Sequence, residues 1–184
     1  MVWVIIIVVL LAAFGPILYL VPSRRDRRLA RVRQQARLSG FVVELHPVRQ
    51  TNPELADRVS AGGAVKTPMH QSVGYTLMLP SRLDFLSSWR VLRDDEATVP
   101  VPGWQLDEGG VKSLVGLPDL LAELPGDVVG VELKTQTLTA FWLESPPAAE
   151  AEVQALKTEM ERIMKRLISA DELQRAAADD DEIP

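Results

Sequence analysis

The run from Val2 to Val21, VWVIIIVVLLAAFGPILYLV, constrains this chain more than any other feature: twenty consecutive residues carry no charged or strongly polar side chain. At roughly 1.5 Å per residue such a helix is about 30 Å long, which matches the hydrocarbon core of a bilayer. A helix lying on a folded domain needs a polar face for water, and this run has none. The run therefore predicts a transmembrane anchor over residues 1–22, with Trp3 and Tyr19 near its two ends at headgroup level. Gly15 and Pro16 permit a kink, since lipid offers the backbone no other hydrogen-bond partner. A cleaved signal peptide is not expected, because no Lys or Arg precedes the run and Tyr-Leu-Val-Pro-Ser follows it in place of a small-x-small site.

The next segment, 23–40, sets a direction. Arg24, Arg25, Arg27, Arg28, Arg31, Arg33 and Arg37 follow the apolar run, opposed only by Asp26. Positive charge beside a span is retained on the cytoplasmic side, so the expectation is a single-pass inner-membrane protein with its N-terminus out and its body in the cytoplasm. Arg24, Arg25, Arg27, Arg28 and Arg31 would then meet anionic headgroups of the lipid bilayer. The same segment reads as a helix capped by Ser23, with Leu29, Val32 and Ala36 on one face and Gly40 at its end. Nucleic acid is not the expected partner: no aromatic residue interleaves with the arginines for base stacking.

Charge separates along the chain. Residues 1–40 hold seven Arg and one Asp, net +6, and subtracting this from −5 leaves −11 for residues 41–184. Part of that acidity lies at the end, where Asp179, Asp180, Asp181 and Glu182 are consecutive, and residues 169–184 read as an acidic, largely disordered tail. Cysteine is absent, which excludes disulfides, thiolate metal sites and a cysteine nucleophile.

The body, 41–168, reads as α+β. Phe41, Val43 and Leu45 alternate with more polar neighbours until Pro47, which suits an edge strand. Thr51 to Val59 reads as a short helix with Asn52 as cap and Pro53 at its first position, and Ser60 to Ser72 as a loop. Val73, Tyr75, Leu77 and Leu79 alternate cleanly up to Pro80, and Trp89 to Leu92 gives a further strand. Trp104 to Leu106 and the residues from Val111 flank DEGG, whose glycines suit a tight turn between short strands. PDLLAELP is a short proline-bounded helix, and 128–134 and 137–144 are two strands joined at Thr135-Gln136. The expected fold is a mostly antiparallel sheet of five or six strands, run largely as a meander and covered by a C-terminal amphipathic helix.

That helix is started by Ser145 and Pro146, and its apolar stripe is Val153, Leu156, Met160, Ile163 and Leu167. The stripe either docks on the sheet as the missing core layer or faces a protein partner or a second copy as a coiled coil. About two heptads are present, fewer than a coiled coil needs, so docking is the expectation and homo-oligomerisation is left open. Ser169-Ala170-Asp171-Glu172 has the form of a capping box, which predicts a break there.

No constellation for chemistry stands out. His46 and His70 are the only histidines, and neither has metal-ligand spacing. Ala61-Gly62-Gly63-Ala64-Val65-Lys66 lacks phosphate-loop spacing, and no G-x-S-x-G elbow occurs. Glu44, Asp94, Asp95 and Glu132 are carboxylates whose mutual geometry spacing does not give. No catalytic residue, cofactor or metal is expected.

The apolar span, the stretch SRRDRRLARVRQQARLSGFVVEL, the Gly103-Trp104 pair and PDLLAELP together resemble single-pass inner-membrane proteins of Gram-negative bacteria, a group without an assigned activity. The resemblance implies an anchor and no chemistry. Two functions are expected in consequence. One is a membrane-tethered adaptor or accessory subunit presenting a protein-interaction domain, where tethering raises the effective concentration of a weak binding face. The other is a small-ligand sensing or catalytic domain with Ser60–Ser72 as a lid.

Overall fold

A computed structural model describes residues 2–3, 6–7, 23–60, 62–110, 114, 116–146 and 150–181. Among the described residues no helix is long and apolar enough to cross a membrane. This corrects the expected transmembrane anchor, and with it the single-pass inner-membrane placement and its N-out direction. Of the apolar run, Val2, Trp3, Ile6 and Ile7 are helical and exposed, and residues 8–22, Tyr19 among them, lie outside the described residues. The physical reason is in the helices that follow. Helix α1, Arg24–Leu38, has 15 residues and seven arginines. The longer C-terminal helix, Glu150–Asp181, has charge on several faces and turns its one apolar stripe onto the sheet.

Six strands form the sheet: β1 Val42–Arg49, β2 Met69–Met78, β3 Trp89–Arg93, β4 Trp104–Gly109, β5 Val128–Lys134 and β6 Thr137–Trp142. All neighbours pair antiparallel, as expected, in the order β1-β2-β6-β5-β3-β4. The order is not that of a simple meander, because the β5–β6 hairpin sits between β2 and β3. The connection from β2 to β3 passes beside the hairpin turn and is tied to it: Leu79 N–H donates to Gln136 O and Leu83 N–H to Thr135 O. Pro47 lies within edge strand β1, where a missing N–H costs no ladder bond.

One face of the sheet is covered by helices. Tyr75, Trp89, Trp104, Leu138 and Trp142 are at most 1% exposed there, in one core with Val32 and Ala36 of α1 and Leu121 of the short helix α2, Pro118–Ala122. Ser23 and Asp26 cap α1 reciprocally, satisfying donors that its first turn leaves free. The C-terminal helix, α3, supplies Val153, Leu156, Met160, Ile163 and Leu167, each no more than 1% exposed. At about 1.5–3 kcal/mol for each large apolar side chain removed from water, this stripe is a major part of what holds the core together.

Helix α3 runs unbroken through the predicted capping box to Asp181, so the C-terminal segment is helical where a disordered tail was expected. Ser169 turns its hydroxyl back to Lys165 O, and Asp171 is 2% exposed. The Asp171 carboxylate accepts from the backbone N–H groups of Phe85 and Leu86, and Arg175 lies over the Phe85 ring at 5.5 Å. The loop before β3 thus holds the helix past the point where its sequence invites a stop.

The other face is concave. Arg49 of β1 and Asp107 of β4 belong to the two edge strands, yet Arg49 Nη2 lies 2.8 Å from Asp107 Oδ1. Thr51 Oγ1, just past β1, donates to Arg93 O of β3 at 2.6 Å. The sheet is therefore curled until its edges meet at one end. Val48, Leu92 and Phe141 fill the curl as a second small core. Gly130 makes room for it: a Cβ there would stand 2.9 Å from Leu92 Cδ2 and 3.0 Å from Phe141 Cδ2.

Two local readings shift. The helix expected over Thr51 to Val59 is a single 3-10 turn, Leu55–Arg58, because Asn52 gives its amide to Asp94 instead of capping. The DEGG turn is not a hairpin turn: Gly109 ends β4 at φ +89°, where a Cβ would fall 2.1 Å from Ser88 O. Strand β4 pairs with β3, and the hairpin closes earlier, with Asp94 N–H donating to Gly103 O.

Candidate functional site

The residues singled out from sequence go to two different places. Trp3 is exposed and Tyr19 lies outside the described residues. Arg24, Arg25, Arg27 and Arg31 are exposed along α1, while Arg28 is half-buried. Arg33, from the same run, turns inward and pairs with buried Glu144, so part of the basic segment builds the fold. Val153, Leu156, Met160, Ile163 and Leu167 are buried in the chain's own core, so this stripe is not open to a partner.

A cleft of about 380 Å³ lies where the sheet's edges meet. One wall is the chain leaving β1, with Gln50, Thr51, Asn52, Glu54 and Asp57; the other is the end of β3 with Arg93, Asp94 and Asp95. His70, the second residue of β2, and Val129 of β5 complete the lining. The segment read as a loop, Ser60 to Ser72, is in part strand β2 and in part a small hairpin with Val59 bridged to Val65. Its two flanks, Asp57 and His70, stand in the cleft.

Burial draws the His70 imidazole below its ordinary value of 6.5, since a low-dielectric surrounding disfavours the cation. Arg93 is also lowered by burial, and its donors are taken by the carbonyls of Val128, Leu124 and Pro125 while its guanidinium lies 4.6 Å from the Trp104 ring centre. Its charge is therefore turned into the wall. Asp94 is partly used as well, accepting from Asn52 Nδ2 and Glu96 N–H through Oδ1. The Gln50 backbone N–H donates to Pro68 O, whereas its side-chain Oε1 is a buried atom with no partner among the described residues.

The cleft is thus lined by residues that carry acceptors: Gln50, whose side-chain carbonyl oxygen is buried in its wall, and Glu54, Asp57 and Asp95. A carbonyl oxygen out of water and unbonded costs about 1–3 kcal/mol, which a donor arriving in the cleft would recover. Among the described residues no group of three or more His, Asp and Glu is arranged to hold a metal ion. The sequence reading named Asp94, Asp95 and His70 singly but missed Gln50, Glu54 and Asp57. The only local signal was a polar run, Gln50-Thr51-Asn52, directly after an edge strand; what it faces depends on the curl. Set against protein-family models, curated proteins and solved structures, the chain matches none of them.

Proposed function

We propose that this chain is a small-ligand-binding domain whose cleft receives a cationic molecule that donates hydrogen bonds. The observation that carries the reading is the buried, unpartnered Oε1 of Gln50 in a cleft rimmed by Glu54, Asp57 and Asp95. A buried polar atom without a partner is rare enough in folded proteins to call for an explanation, and a bound donor supplies one. Negative rim charge adds attraction that a low-dielectric cleft strengthens. The hairpin between Asp57 and His70 has both its ends in the lining of the cleft, as a lid over a bound molecule would. Of the surfaces an interaction domain could use, the apolar stripe of α3 is taken up by the chain's own core.

Putrescine and agmatine are suitable probes, titrated into the full chain while backbone amides are followed by NMR. Shifts confined to 50–57, 70 and 93–95, and a loss of affinity of about tenfold in Gln50→Leu, are the expected results. Agmatine binding unchanged in Gln50→Leu, or no shift in those amides with either probe, defeats the proposal.

A further inference from the structure

A second cavity, of about 210 Å³, opens on the same concave face at the other end of the curl. It shares no lining residue with the cleft, and its chemistry differs. At one corner stands Glu44 of β1, exposed and without a partner among the described residues. At the opposite corner stands Lys134 of β5, whose ammonium is 2.8 Å from Glu132 and otherwise open, the side chain being 60% exposed. Between them the floor is polar: Thr76 and Thr139 share one hydrogen bond of 2.9 Å between their hydroxyls. A mutual bond uses only one of two hydroxyl hydrogens, so one donor remains for something above the floor.

The register fixes where the two residues stand on the sheet. Glu44 pairs with Gly74, and Gly74 with Phe141; Lys134 pairs with Thr137, and Thr137 with Met78. The two residues are diagonal corners, three strands and four residues apart. On a flat sheet their Cα atoms would be about 20 Å distant; both side chains reach the lining of the one cavity. Burial by itself would raise the Glu132 carboxyl, but hydrogen bonds from Lys134 and Arg90 outweigh it and hold the group below its usual range. Glu132 is thus already satisfied as a counter-ion and leaves Lys134 with spare donors.

Two features argue that the space is built. Gly74 lies in the floor, and a Cβ there would meet only ordinary contacts, 3.4 Å to Thr139 Cγ2 and 3.7 Å to His46 Cβ. Steric crowding of the backbone therefore does not demand glycine, and its effect is to deepen the cavity. His46 packs on Phe141 with ring centres 4.8 Å apart and the rings tilted by 40°, and its Nδ1 is a buried atom without a partner among the described residues.

We infer that this cavity binds a small zwitterion of the free amino-acid class, its carboxylate on Lys134 and the spare threonine hydroxyl, its ammonium on Glu44. A plain anion would face Glu44 and a plain cation would face Lys134, so neither uses both corners. The inference goes beyond the cleft proposal and does not rest on it.

Calorimetry on the full chain with glycine, alanine, β-alanine and γ-aminobutyrate as probes, and acetate and methylammonium as single-charge fragments, tests it. At least one zwitterion should bind, and both fragments about tenfold or more weaker, because each forgoes one charge-assisted contact. Lys134→Met and Glu44→Gln, both at exposed positions, should each weaken the best probe about tenfold. Gly74→Ala should weaken it by filling the floor, while Gln50→Leu in the cleft should leave it unchanged. The inference is overturned if no zwitterion binds, if a fragment binds as tightly as the zwitterions, if Lys134→Met and Glu44→Gln bind like the parent, or if Gln50→Leu abolishes the signal.

Discussion

Arg33 and Glu144, 111 residues apart, meet as a bidentate pair, with Nε 2.9 Å from Oε1 and Nη2 2.5 Å from Oε2. Glu144 is 2% exposed and sits at φ +52°, a left-handed conformation that non-glycine residues hold only when their surroundings insist. The Tyr75 hydroxyl donates to the same carboxylate at 2.6 Å, and burial followed by that bond raises its pKa, so it stays a donor. This cluster fastens α1 to the rest of the fold, with Val32 and Ala36 beside it. Arg33→Ala should cost about 3 kcal/mol in urea unfolding, the low end for a broken buried pair because the arginine side chain keeps 31% exposure. Tyr75→Phe, which leaves the ion pair in place, should cost about 1–2 kcal/mol.

Asp171 is the reason α3 continues. Asp171→Ala removes the acceptor from two backbone N–H groups, those of Phe85 and Leu86, and should cost about 1–3 kcal/mol. Hydrogen exchange would show where the loss falls: faster exchange in residues 84–87 and in α3 beyond Asp171, with the stripe from Val153 to Leu167 still protected. Asp171→Asn keeps an acceptor and should lie between the two.

Periodicity made much of this fold legible, and only where the signal is local. Alternation at Val73, Tyr75 and Leu77 gave β2, and the a/d-type recurrence from Val153 to Leu167 gave the buried face of α3. Capping chemistry gave the start of α1 at Ser23. What depended on distant partners was not readable: the strand order, the curl that brings Arg49 to Asp107, and the pairing of Arg33 with Glu144. The capping box at Ser169 misled because the pattern does not state that Asp171 faces Phe85 and Leu86. The apolar run at 2–21 states only that a segment is compatible with lipid; its length drew an anchor from composition alone, and the arginines after it drew a direction. The cleft was hidden for the reason the curl was, since Gln50 and Asp95 become neighbours only when the sheet's edges meet.

Gly130 tests the curl directly. Gly130→Ala places a methyl 2.9 Å from Leu92 Cδ2, 3.0 Å from Phe141 Cδ2 and 3.2 Å from Val91 O, so the small core under the concave face must move. Overpacking of this kind costs about 1–3 kcal/mol. Gly74→Ala, two strands away with no contact under 3.4 Å, should be close to neutral in the same urea experiment. Equal losses at both positions would mean that glycine is needed for backbone freedom and not for the approach of Leu92 and Phe141.

The lowered pKa of His70 gives stability a pH dependence whose sign can be worked out. Burial disfavours the imidazolium in the folded state, so below 6.5 the unfolded chain takes up a proton that the folded chain resists. The contribution is fully present above 6.5 and is lost as pH falls through the lowered folded-state value. Glu132 acts in the same direction but later, because its folded value lies below 4.5. The interval between 6.5 and 4.5 therefore separates the two. Urea midpoints at about pH 8 and about pH 5 should show the parent less stable in acid, and His70→Gln should reduce that difference because glutamine takes up no proton in either state. An equal acid loss in both proteins would show that His70 is not the group responsible.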